Sequence, residues 1–145
     1  MQDAPAAITF GDISMASYRI RPAVARTSLH FSRKVSALLG ARVYFKSEME
    51  HPTGSFKERG GRNALMLFDE ESKKRGCIAA SAGNHALALA YHGSELGIPV
   101  TVVMPTIAPI TKVQNCRDLG ATVIIAGAHI GEAREHALTI ARKQV

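Results

Sequence analysis

No run of apolar residues approaches the length of a membrane span; the longest, such as Val100–Pro105, are strand-sized. The only two cysteines, Cys77 and Cys116, fit no metal-ligand or redox spacing, so a reducing, cytoplasmic setting is the expectation. Residues 1–15 carry Asp3 and Asp12 and place no basic flank before an apolar core, which argues against a secretory signal. Neither a G-x-G-x-x-G nor a P-loop spacing occurs, so the common dinucleotide and nucleoside-triphosphate fingerprints are excluded. There is no internal repeat and no low-complexity tract.

What remains is ordinary globular material: 145 residues, 46% hydrophobic and 21% charged. That is enough to bury a core without a disulfide or metal staple. The formal charge of +6 raises the question of a nucleic-acid partner, because phosphate binding rests on clustered cations. The cations are scattered, however. The one tight cluster, Lys73-Lys74-Arg75, directly precedes Gly76, which is the pattern of a helix C-terminus completing its own dipole. Neither a nucleic-acid nor a membrane partner is expected.

Along the chain, Thr9 followed by Asp12 forms a capping-box pattern, with Ile13, Ala16 and Ile20 on one helical face and Pro22 as the stop. A second short helix is read from Ser32 to Leu39, ended by Gly40. Arg42–Glu48 alternates like a strand, and His51-Pro52-Thr53-Gly54 is turn chemistry. A long helical pattern is read from Ser55 to Lys74, with Ala64, Leu65 and Phe68 inward. From Cys77 the pattern is regular: strand to Ala80, helix Asn84–Leu96, strand Val100–Met104, a helix opening at Pro109, strand Thr122–Ala126 and helix Ile130–Lys143. Successive strand–helix units with short links require parallel pairing and crossovers, so the expected fold is α/β with an open parallel sheet of βα units. The histidine pairs His85/His92 and His129/His136 are seven apart in helices, about 10 Å by helix rise, too far for one metal ion. All four are expected to be surface or packed side chains.

Two segments carry chemistry. Ligands in open parallel sheets bind beyond the carboxyl ends of the strands, where Ser81-Ala82-Gly83-Asn84-His85 is expected to lie. Small residues there let the backbone approach an anion, and the following helix presents free N–H groups. The other segment is Thr53-Gly54-Ser55-Phe56-Lys57-Glu58-Arg59-Gly60-Gly61. Its lysine is either a solvated side chain or a Schiff-base lysine at a helix entry, with Phe56 placed to lie near a planar cofactor.

Together, SFKERGG and, 24 residues after its lysine, SAGNHA resemble the fold-type-II pyridoxal-phosphate enzymes, particularly the serine/threonine dehydratases and serine racemases. ITFGDISMASYRI, RTSL, SEMEHPTGSFKERG, LGIPVTVVMP and the GAT before the third strand fall in the family's order. The resemblance implies pyridoxal 5′-phosphate as cofactor and a small amino acid as substrate. Lys57 would hold the cofactor and, once freed, remove the Cα proton. Phe56 would lie against the pyridine ring, and Asn84 would hydrogen-bond its 3′-oxygen. The turn Ser81, Ala82, Gly83, Asn84 and His85 would bind the substrate carboxylate. The resemblance also implies residues 1–70 as the N-terminal part of a large cofactor-binding domain and 71–145 as a small α/β domain.

Several positions depart from the family. Ala82 stands where racemases carry a proton-donating serine, which favours dehydration of threonine or serine to a keto acid and ammonia. Leu87 replaces a frequent glutamine, and RTSL replaces the commoner RTPL. The family runs to more than twice this length, and its glycine-rich phosphate loop is not found before Val145; Gly127–Gly131 is too sparse to replace it. The alternative is a shortened, non-catalytic member that binds a partner chain or regulates. The strand Arg42–Glu48, lacking neighbours, is expected to drive homo-oligomerisation or pairing with a partner.

Overall fold

A computed structural model describes residues 7–143. Helix α1, Phe10–Ile20, opens on the expected capping box: Asp12 accepts from the Thr9 N–H at 2.8 Å and its own N–H donates to Thr9 Oγ1 at 3.2 Å. Strand β1, Leu29–Phe31, leads into α2, Arg33–Leu39, capped by Ser32 and closed by Gly40 at φ 62°. Strand β2, Tyr44–Lys46, pairs antiparallel with β1, Leu29 opposite Lys46 and Phe31 opposite Tyr44. β1 escaped the sequence reading, and the strand read as Arg42–Glu48 is shorter than expected and has a neighbour after all. Three residues between short polar segments carry too little alternation to mark a strand.

The long helix read from Ser55 to Lys74 is two helices: α3, Lys57–Met66, and α4, Glu70–Arg75. Asp69 breaks the run, because its side chain accepts the Ser72 N–H at 2.7 Å and so caps a new helix. Leu65 is buried and Phe68 packs beside it, whereas Ala64 faces solvent. Lys73, Lys74 and Arg75 lie in the last turn of α4, as expected, and Lys73 and Arg75 pair with Glu70 and Glu71.

The regular half has the expected α/β form. Strands β3 (Cys77–Ala80), β4 (Val100–Met104) and β5 (Thr122–Ile125) form a parallel sheet in that order. Helices α5 (Asn84–Leu96), α6 (Ile110–Asp118) and α7 (Ile130–Lys143) connect and follow them. Central β4 is buried on both faces and therefore reads as a nearly continuous apolar run. Val100, Val102 and Met104 join Leu65, Leu89 and Cys116 in one core, while Val103 faces Ala133 and Ala137 of α7 on the other side. Desolvation raises the pKa of both cysteine thiols, as befits packing side chains rather than nucleophiles. Among the described residues no helix is long and apolar enough to cross a membrane.

Gly93 explains how α5 lies so close to β4. A Cβ there would come within 2.3 Å of Val100 Cγ2 and 3.0 Å of the Ile98 carbonyl oxygen. Gly93→Ala is therefore expected to lower the unfolding free energy by about 1–3 kcal/mol, despite alanine's better helix propensity. Gly60→Ala in α3, where a Cβ meets nothing within 4 Å, is expected to raise it by up to about 1 kcal/mol. Urea unfolding of the two variants measures both signs.

Candidate cofactor and substrate site

The lysine segment is built by a turn and a helix start. β2 runs into a 3-10 turn, Glu48–Glu50, then the chain reverses at Gly54, whose φ of 74° favours glycine and whose N–H donates to the His51 carbonyl at 2.7 Å. Ser55 is buried, and its Oγ accepts the Lys57 N–H at 3.3 Å. Phe56 occupies the N-cap position of α3 and Lys57 is its first residue. Successive helical side chains diverge by about 100°. Lys57 and Phe56 thus point outward while Glu58 points in. The Phe56 ring is 59% exposed, and Lys57 Nζ sits 5.0 Å from its centroid.

The second segment lies at the carboxyl end of β3, as expected. The Ser81 N–H donates to the Val103 carbonyl at 3.1 Å, continuing the ladder one residue beyond the strand. Ser81 Oγ then accepts the Gly83 N–H at 3.3 Å. Gly83 caps α5 without a side chain, so the first-turn N–H groups of α5 open toward an incoming anion. Asn84 Oδ1 accepts from Lys112 Nζ at 2.9 Å. The pKa of His85 is pushed below its ordinary value by partial desolvation first and by the Lys57 cation second. The two segments stand at the N-terminal ends of α3 and α5, which pack on each other through Gly61 and Ala88.

Beneath them lies a set of residues to which the sequence reading gave no part in the site. Arg59 holds Glu48 bidentately, Nε at 2.7 Å and Nη2 at 2.8 Å, and Thr27 Oγ1 donates to the same carboxylate at 2.7 Å. These contacts, the Arg59 hydrogen bond foremost, lower the Glu48 pKa from 4.5 to about 2. Glu58, His51 and His92 are buried side by side under the lysine turn. Of the expected surface or packed histidines, His85 is exposed and His92 fully buried. Burial of a Glu and a His in amphipathic helices leaves no distinctive spacing, so neither could be picked out. Lys112 was likewise unmarked.

An open parallel sheet with a glycine-opened turn at its first crossover defines an α/β fold of the kind that takes small molecules beyond its strand ends. The chain belongs to the pyridoxal-phosphate-dependent enzymes, whose family model matches residues 20–144. It is 45% identical over 136 residues to the L-threonine ammonia-lyase of Thermotoga maritima, covering 94% of this chain and 34% of that protein. It is 44% identical over 116 residues to an L-threo-3-hydroxyaspartate ammonia-lyase of a Pseudomonas species, covering 80% and 36%. Maize serine racemase superposes with a TM-score of 0.88 at 33% identity, covering 95% of this chain and 42% of that one. The chain thus spans roughly two-fifths or less of these relatives and matches the N-terminal part of the fold-type-II enzymes.

The Glu48 pKa gives a pH test. A folded-state pKa of about 2 against 4.5 means that its stabilisation is complete above about pH 4.5 and is lost as pH falls toward 2. Glu48→Gln is expected to cost about 2 kcal/mol at pH 7, from charge-assisted hydrogen bonds lost to Arg59. The difference from the parent protein should shrink at pH 3, as measured by urea unfolding at both pH values.

Proposed function

We propose that this chain is the N-terminal part of an ammonia-lyase that converts L-threonine or L-serine to a 2-keto acid and ammonia. The observation that carries the reading is the meeting of an exposed Lys57, stacked over Phe56, with the open N-terminus of α5. The residues present fit the ring end of pyridoxal phosphate. Phe56 offers a bare aromatic face, and a Cβ at Gly83 would meet nothing within 4 Å, leaving room beside the turn. When bound, the cofactor supplies a sink for the electrons of the substrate's Cα–H bond.

The chain's own residues divide the remaining work. Lys57 Nζ would hold the cofactor and then take the proton from Cα. Backbone N–H groups of Ser81–His85 would orient the substrate carboxylate. Because Asn84 Oδ1 accepts from Lys112, its amide hydrogens are left to donate, which suits a bond to the 3′-oxygen of the ring. Ala82 carries no proton donor, favouring elimination over racemisation. On this reading residues 1–70 belong to the large domain and 71–145 to the small one, with α3 reaching across so that Leu65 enters the second core.

The phosphate end is not provided by Gly127–Gly131. Gly127 is closed against α7, where a Cβ would lie 2.6 Å from Glu132 Cβ, and the Glu132 carboxylate already accepts the Ala128 N–H at 2.7 Å. A carboxylate at that turn repels a phosphate. A second reading is favoured by this and by the solvent-facing β1–β2 ribbon with Leu29, Phe31 and Phe45: a member that works by binding a partner chain.

With added pyridoxal phosphate the protein is expected to retain a visible absorbance band after desalting and to form keto acid from threonine or serine; Lys57→Ala should abolish both. Absence of band and of keto acid in the parent would sink the catalytic reading for this chain. The exposed ribbon is expected to make the protein self-associate at micromolar concentration, measured by sedimentation velocity. A clean monomer would remove the argument for partner binding.

A further inference from the structure

Glu58 is 1% exposed and His92 0%, yet neither ring nitrogen of His92 has a hydrogen-bond partner. Buried imidazole nitrogens are rarely left so. His92 Nε2 lies 3.5 Å from Glu58 Oε2, and the equally unpartnered Nδ1 of His51 lies 3.8 Å from the same oxygen. One carboxylate oxygen is thus flanked by two imidazoles, each a few tenths of an ångström beyond hydrogen-bonding distance. The other oxygen, Oε1, accepts the Thr53 N–H. On its far side His51 Nε2 is 3.2 Å from Glu48 Oε2, which Arg59 holds.

A buried carboxylate is costly unless its surroundings compensate it, so its placement calls for a structural reason. The geometry supplies one. Glu58 follows Lys57 directly, and its bond to Thr53 closes a staple around the turn 54–57. His92 stands on α5, two turns after His85 of the substrate turn. Burial lowers the His92 pKa and the Glu58 carboxylate opposes this; Nε2 is the ring nitrogen that faces Glu58.

We propose that Glu58, bonded to Thr53 and flanked by His92 and His51, is a positioning residue that holds the Lys57 turn in register with the Ser81–His85 turn. This rests on the reading of Lys57 as the cofactor lysine, but the tie itself is a property of the polypeptide. It acts through Lys57 and touches neither substrate nor cofactor.

The test uses the whole chain in two measurements: amide hydrogen exchange over Thr53–Lys57, and borohydride trapping of pyridoxal phosphate on Lys57 at sub-saturating cofactor. His92→Leu, which removes the donor, is expected to speed exchange in that turn and slow trapping by about tenfold each. His92→Gln, which restores an N–H donor, should return both to within about threefold of the parent. Glu58→Gln keeps the shape but removes the charge, so it should loosen the turn even if His92→Leu does not fold. If Glu58→Gln and His92→Leu both match the parent within about twofold in exchange, the tie is refuted, and where His92→Leu does not fold Glu58→Gln decides alone. The same holds if exchange rises evenly along α5 rather than in the turn. No trapping in the parent would overturn the role of Lys57 instead, and exchange would still decide the tie.

Discussion

The contact of α3 with α5 sets the geometry of the candidate site, because each helix carries one of its two segments at the N-terminus. Gly61 lets the helices approach until a Cβ in its place would be 3.3 Å from that of Ala88. Leu65, one turn further along α3, is driven into the core shared by α5 and the sheet. At the other end of the same interface lie Glu58 and His92. Small residues give proximity, an apolar side chain gives most of the adhesion, and a polar pair removes rotational freedom about the contact. Hydrophobic burial alone is non-directional and would tolerate a slip of α3 along α5. A buried carboxylate that needs specific donors does not.

Charge is used in two ways. At the surface, Lys73 and Arg75 pair with acids one turn away in an exposed helix, contributing little beyond local helix stability. Partly buried, Arg59 and Glu48 join the start of α3 to the turn after β2 and, through Thr27, to the loop after α1. Arg59 and Lys57 are two apart in sequence and face opposite environments, one fixed and one free. The net charge of +6 therefore describes no single surface. Part of it is structural scaffolding beneath the site.

The sequence was most readable where one physical pattern dominated. Strands β3, β4 and β5 alternate with capped helices, and Gly40 and Gly97 end theirs in the left-handed conformation that glycine favours. The lysine and the SAGNH turn could be singled out because their neighbours form specific strings. β1 was missed because three exposed residues show no periodicity, and Asp69 was missed as a cap because Glu70–Arg75 carry no apolar residue to mark a separate helix and read as the polar end of the first one. Glu58 and His92 were illegible for a deeper reason. They are 34 positions apart and only the packing of two helices makes them neighbours. Long-range polar pairing leaves no local trace.

The asymmetry between the two halves of the molecule bears on what the chain does. The parallel sheet is covered on both faces and its core is continuous with α3. In contrast, β1, β2 and α2 bury almost nothing: Leu38 and Leu39 are exposed, and both strands face solvent along their length. An isolated two-stranded ribbon is marginal in water. Here Lys46 anchors it through the Thr27 carbonyl at 3.2 Å, and Ser47 through that of Ser28 at 3.0 Å, so the ribbon is held by its stem rather than by its faces. Of its side chains Phe31 packs on Tyr44, ring centroids 5.3 Å apart, while Leu29 and Phe45 stay more than half exposed. Glu48 and His51 lie between the ribbon and the lysine turn, so the segment that follows β2 is fixed from α3, by Arg59 on Glu48, rather than from the ribbon.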